Sequence, residues 1–419
     1  MKSKLLAGSI FWPMLAAAIV AGSASAAVPK EKSLGSDVTF ADDVAFLRAH
    51  TEVIVLSDKR GAAQLAIAPA WQGRVMTSSA EHATGRSFGW INRELIASGK
   101  LAAHINAFGG EDRFWLGPEG GQFSIFFAKG TTFDYANWFV PEAFDTRPFP
   151  LVSRSSDRAL FQAEFALENY SGTRFEVGVK RDVRLLDSKS AWNHLGVPDM
   201  RDVHLVAYES SNTITNHGTK AWTRESGLLS IWILGMFIPS PSATIVVPIK
   251  AGAESALGVK VTSNYFGAIP PERLKVTDEV IFFRGDGEFR SKIGINPRRS
   301  LGKLGSYDAD HGVLTIVQFD QPEGVSEYVN SQWRLQENPY SGDVANSYND
   351  GPATAGARPI GPFFEIESSS PAAALAPGAS LEHTHRTLHL TGSESELDTV
   401  CRGVLGISLA EIKAAFRAD

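Results

Sequence analysis

The chain has 419 residues, 46 acidic against 40 basic side chains, a net charge of -6, 43% hydrophobic residues and one cysteine, Cys401. That balance, without a long basic cluster, gives no electrostatic reason to expect nucleic acid or anionic lipid as a partner. A lone cysteine excludes an internal disulfide, so an apolar core has to hold the fold, and length alone leaves open one large domain or two ordinary ones.

The first residues predict a secretory signal: Lys2 and Lys4 supply positive charge, an apolar run spans Leu5 to Val20, and Ala24-Ser25-Ala26 offers a small-residue cleavage site. The run contains Pro13 and is short for a helix crossing roughly 30 Å of hydrocarbon, so residues 1–26 are expected to be removed, leaving no stable membrane insertion. An uncleaved membrane helix is the alternative. No cysteine follows the run to take a lipid. The expectation is a secreted or periplasmic protein whose mature chain, 27–419, forms one domain.

Along that mature chain Ala41–His50 has Val44, Phe46 and Leu47 at roughly helical spacing. From Glu52 onward, short runs rich in Val, Ile, Phe and Thr recur between Gly, Pro, Asn and Asp clusters, which predicts strands and turns. Such runs are Val53–Leu56, Gln64–Ala68, Gln122–Phe127, Ala159–Leu167, Phe175–Leu185, His204–Tyr208, Ser242–Pro248, Val313–Phe319 and Phe363–Ser368. Asn338–Pro362 is expected to be a long loop, of the kind that often carries function. Near the end, Ser393 with Glu396 and Ser408 with Glu411 fit capping boxes for two small helices outside a sheet. With no internal repeat and no linker, the pattern predicts an all-β protein: a large antiparallel β-sandwich with a few short peripheral helices.

Four segments could carry chemistry. In His104–Gly121 five glycines and a proline let the backbone turn tightly while His104, Arg113, Trp115 and Glu119 converge; the structural alternative is a turn whose Arg113 is neutralised by Glu111 or Asp112. In Phe363–Pro371, Glu365 and Glu367 lie two apart and share one face of an extended strand. If that face is buried, one carboxyl is pushed into general acid/base range; if it faces water, the two are a solvated stripe. In Glu382–His389, His383, His385 and His389 share one strand face. They are weak candidates for a zinc-like metal, because the spacing matches no common structural zinc motif, and exposed or pocket-bound histidines explain them as well. Finally Asn330 and Trp333, with Asn346 and Asp350, could bond vicinal hydroxyls and cover a sugar ring, or serve only a turn-rich loop. There is no G-x-S-x-G, H-E-x-x-H, Walker A or paired C-x-x-C pattern, and no feature calls for a cofactor.

The run Phe364–Ser369, the Leu375-Ala376-Pro377-Gly378 turn and the strand Glu382–Leu390 resemble the closing strands of aldose 1-epimerases. Asn212–Gly218 is similar to that superfamily's central strand. More closely, the strings GGEDRFWLGPEGG, LLSIWILGMF, RSKIGINP, GDVANSYNDGP and FFEIESSSPA resemble a family of exported bacterial proteins of the DUF6786 type, assigned to the galactose-mutarotase-like superfamily. The resemblance implies a β-supersandwich that binds a carbohydrate or sugar-derived molecule, with mutarotase- or epimerase-like acid/base activity. Glu367 best matches the catalytic glutamate, with Glu365 as alternative. True mutarotases add a histidine, but Leu228–Gly235, expected to hold it, has none, leaving His104, His204, His383 and His385 as substitutes. Arg113 is a candidate to bind a carboxylated or oxidised sugar instead. A non-catalytic carbohydrate-binding protein and a sugar lyase or hydrolase on the same fold are the alternatives.

Overall fold

The period-two alternation of the longer strands is the clearest link from sequence to architecture: along Arg158–Glu168, Ala159, Phe161, Ala163, Phe165 and Leu167 are buried while most residues between them are exposed. This computed structural model describes residues 38–353 and 356–417. The expected signal segment, 1–26, lies outside the described residues.

The strands, in chain order, are β1 (Ile54–Ser57), β2 (Gln64–Ala68), β3 (Arg74–Ser79), β4 (Arg113–Gly117), β5 (Leu151–Arg154), β6 (Arg158–Glu168), β7 (Arg174–Leu185), β8 (Val203–Asn216), β9 (Ser230–Phe237), β10 (Thr244–Pro248), β11 (Leu274–Val276), β12 (Val280–Arg284), β13 (Ser291–Ile295), β14 (Lys303–Asp308), β15 (Val313–Phe319), β16 (Ala345–Asn349), β17 (Phe364–Ser369) and β18 (Ser380–Gly392). They pair antiparallel into a ten-stranded sheet (β11-β12-β10-β14-β15-β18-β8-β7-β6-β5), a five-stranded sheet (β13-β16-β17-β9-β4) and a three-stranded sheet (β1-β2-β3). The all-β antiparallel expectation therefore describes the chain.

The layers follow from side-chain parity. On β18 the odd residues His383, His385 and His389 bond to groups from outside the ten-stranded sheet or from its neighbouring strand, while Leu388 and Leu390 pack with Leu397, Val400 and Cys401 on the opposite face. Those last residues belong to a helix. The helices are α1 (Phe40–Arg48), α2 (Arg93–Ser98), α3 (Glu142–Asp145), α4 (Ser188–Leu195), α5 (Glu254–Leu257), α6 (Glu394–Leu405) and α7 (Leu409–Ala414). As expected, Ser393 and Ser408 cap α6 and α7 by accepting from the Glu396 and Glu411 backbone N–H groups. The helices α2 to α5, of four to eight residues, escaped the sequence reading because so short a run shows no 3.6-residue period.

Two expectations need correction. Gln122–Phe127 is not a strand: its backbone turns, with Ser124 N–H donating to Gly121 and Ile125 N–H to Pro118, and Phe126 and Phe127 join an aromatic cluster with Trp115, Trp138 and Trp333. Asn338–Pro362 is not one long loop: β16 runs through it, fully buried between β13 and β17. Its Asn, Ser and Tyr content reads as loop because the face it helps build is polar.

Candidate functional site

Register brings the chemistry onto one face of the five-stranded sheet. Lys292 pairs with Tyr348, Tyr348 with Glu365 and Glu365 with Met236, forming one row across β13, β16, β17 and β9. The adjacent row runs Gly294, Asn346, Glu367, Leu234 and Arg113, the last on β4. Because successive side chains alternate, these rows share a face, and Ile293, Ile366 and Ile233 turn to the other side into the core.

Both glutamates are buried and differently held. Glu367 is fully buried; its Oε2 accepts from Trp232 Nε1 at 2.8 Å and from Lys292 Nζ at 2.9 Å, while Oε1 has no hydrogen-bond partner among the described residues. Glu365 accepts from Arg113 at 2.6 Å. Burial pushes the Glu365 carboxyl up to about 7 against the pull of Arg113, with Glu367 adding to the rise. Burial would lower the Lys292 ammonium, but Glu367, Glu119 and Glu365 outweigh it and leave it raised.

A cavity of about 570 Å³ opens over this face, lined by Glu119, Tyr265, Arg290, Lys292, Trp333, Tyr348 and Asp350 among others. Such a volume suits a small-molecule ligand. Burial raises the Glu119 carboxyl, with Lys292 opposing and Glu367 reinforcing. Asp350 accepts from Tyr348 Oη at 2.9 Å and from Gly361 N–H at 2.8 Å, and burial lifts it to about 6. Tyr265 donates to Asp343 at 2.6 Å and accepts from Asn346 at 3.2 Å; Asp343 is also raised by burial to about 6. Gly294 permits this, since a Cβ there would lie 2.0 Å from Asp343 Oδ2. Tyr135 and Phe266, both exposed, add aromatic surface to the lining.

The expected contacts fall into two groups. Glu119, Trp333 and Asp350 line the cavity, and Asn346 supports Tyr265 beside it. Asn330 accepts from the Gln332 backbone N–H and shapes the loop that carries Trp333. Arg113 and Trp115 are buried below: the guanidinium stacks 4.4 Å over the Trp115 ring while bonded to Glu365. The notion that Glu111 or Asp112 neutralises Arg113 is corrected, because Asp112 pairs with the fully buried Arg181 at 2.6 Å and Glu111 accepts from Ser78, Tyr208 and His389. His104 bonds the Trp138 carbonyl at 2.7 Å and stacks with Phe139 and Tyr135, touching the lining through Tyr135 and not Glu367.

The strand histidines are buried, not exposed. Ser368 Oγ sits 2.8 Å from both His383 Nε2 and His385 Nδ1, donating to one imidazole and accepting from the other. Burial first, then repulsion from His385, lowers His383 to about 3, and burial lowers His385 to about 4. His389 is spent on Glu111 and Thr315. Among the described residues no group of three or more His, Cys, Asp or Glu side chains is placed to hold a metal ion, and no helix is long and apolar enough to cross a membrane.

The sequence profile of a family of unknown function, DUF6786, matches residues 38–416. The chain belongs to that family. Its solved structural neighbours include the Slr1438 protein of Synechocystis sp. PCC 6803 (TM-score 0.48, 13% identity, covering 82% of this chain and 96% of that one) and a putative aldose 1-epimerase from Escherichia coli K12 (0.45, 14%, 82% and 99%). A galactose mutarotase-like protein from Lactobacillus casei ATCC 334 is similar at TM-score 0.44 and 10% identity, over 81% of this chain and 100% of that one. Comparison with curated proteins finds no match. Within this DUF6786 chain, sequence reasoning missed Trp232, Arg290 and Lys292, although all three lie in strings that carry the resemblance. Tyr265 has no sequence signal of its own.

Proposed function

We propose that this is an exported protein that binds a carbohydrate or sugar-derived molecule in the cavity above the five-stranded sheet and performs mutarotase- or epimerase-like acid/base chemistry on it. The observation that carries the reading is the Glu367 carboxylate: one oxygen is fixed by Trp232 and Lys292, the other has no hydrogen-bond partner among the described residues, and Lys292 and Glu119 connect it to the cavity. Anomer interconversion needs a base for the anomeric hydroxyl proton and an acid for the ring oxygen. Glu367 is assigned the first task. Glu119, which lines the cavity with its carboxyl raised, can hold the proton for the second. Exposed Tyr135 and Phe266 with Trp333 supply flat faces for a sugar ring.

One observation favours a non-catalytic carbohydrate-binding protein instead: Glu367 is fully buried in an ion pair, and among the described residues no histidine is bonded to it. Proton NMR of freshly dissolved galactose, glucose and their uronic acids separates the readings. Acceleration of anomer equilibration by the wild type, lowered on the order of 100-fold in Glu367→Gln, is the expected result. Saturable binding without acceleration would establish the binding protein.

A further inference from the structure

The cations around the cavity are not equivalent. Lys292 is bonded to Glu367, Arg334 donates to Gln332 at 2.6 Å, Arg358 pairs with Glu94, and Arg113 below is bonded to Glu365. Arg290 differs. Its guanidinium lies 3.8 Å over the Phe266 ring and beside the Tyr348 hydroxyl, and no carboxylate forms an ion pair with it among the described residues.

The acid that β-pairing places beside Arg290 is Asp350, since the ladder of β13 and β16 ends at Ser291 and Asn349. Asp350 is turned away: Oδ1 accepts from Tyr348 and Oδ2 from Gly361 N–H. A half-buried guanidinium that feels Asp350 and Glu119 only at a distance, with no carboxylate in ion-pair contact among the described residues, is incompletely neutralised, and one held over an aromatic ring keeps N–H groups to fork a carboxylate. Resting on the carbohydrate reading above, we infer that the cavity selects a sugar acid, with the Arg290 guanidinium holding the substrate carboxylate. One guanidinium without an ion-pair partner among the described residues matches a single negative charge. A phosphate dianion would meet Glu119 and Asp350 in the same lining.

The test is calorimetric titration of the whole protein with galacturonate, glucuronate, galactose, glucose and galactose 6-phosphate. Wild type is expected to bind a uronate about tenfold more tightly than its neutral parent, with the margin shrinking at high salt. Arg290→Gln should bring uronate affinity to the level of the neutral sugar and leave neutral-sugar affinity in place. Arg290→Lys, which keeps the charge and loses the fork, should fall between, and it serves if the glutamine variant does not fold. Equal wild-type affinity for uronate and neutral sugar, or equal loss of both in Arg290→Gln, overturns the inference and leaves carbohydrate binding standing. Tighter binding of the phosphate overturns the carboxylate assignment. Binding of none of the five sugars overturns both the inference and the reading on which it rests.

Discussion

Arg113 and Glu365 show how a buried residue pair shapes this site. Glu365 starts from an ordinary value of 4.5 and is lifted to about 7 mainly by burial, so between those values the folded chain keeps a proton that the unfolded chain has lost. The contribution of Glu365 to stability is therefore fully present below 4.5 and falls as pH rises through 7. Removing Arg113 leaves a neutral acid at low pH and an uncompensated buried carboxylate at high pH. Arg113→Met is expected to lose on the order of 3 kcal/mol at pH 8 and clearly less at pH 5.5, and Arg113→Met with Glu365→Gln should recover much of the loss at pH 8. Urea unfolding at the two pH values checks this; an equal loss at both would show that Glu365 is not the group responsible.

Among the elements, β13, β16 and β17 hold the site because their side chains alternate: apolar residues such as Ile293, Ala345 and Ile366 go to the core, and Lys292, Asn346 and Glu367 to the cavity side. A one-residue slip of any of them would exchange the two sets, so packing and site enforce the same register. The helices do a different job. α6 and α7 cover the far face of the ten-stranded sheet, and α7 starts in a capping box in which Ser408 and Glu411 satisfy each other's backbone N–H groups. Ser408→Ala is expected to cost about 1 kcal/mol in chemical denaturation while leaving ligand binding unchanged. Loss of binding would show that α7 acts on the far side of the sheet.

For the whole molecule, the layer between the two large sheets is apolar with embedded polar clusters, among them Ser368 with His383 and His385, whose Nε2 has no hydrogen-bond partner among the described residues. From an ordinary value of 6.5 the two imidazoles are depressed to about 3 and about 4, so below 6.5 the unfolded chain takes up protons that the folded chain refuses. Their contribution is present above 6.5 and is lost as pH falls toward 3. Between 4.5 and 6.5 this opposes the Glu365 effect, and at lower pH it dominates. Replacing both histidines by glutamine should flatten the acid limb of the stability curve below about pH 4.5, even if the variant is less stable at pH 7. An unchanged acid limb in thermal unfolding would locate the acid lability elsewhere.

The sequence by itself determined the antiparallel all-β class, most long strands and the three capped or patterned helices. Strand alternation and capping residues are local signals, written within a few positions of the structure they specify. It also put Glu365 and Glu367 on one face, because that follows from parity alone. Only the tertiary structure decided that the face is buried, that Glu367 meets Lys292 from 75 positions away, and that Arg113 reaches Glu365 across 252. Charge partners are set by sheet order and register, which bring together strands remote in the chain, and no local pattern encodes that pairing. For the same reason the buried strand histidines turned inward onto Ser368, and Arg290 acquired its place at the cavity beside an Asp350 already bonded to Tyr348 and Gly361.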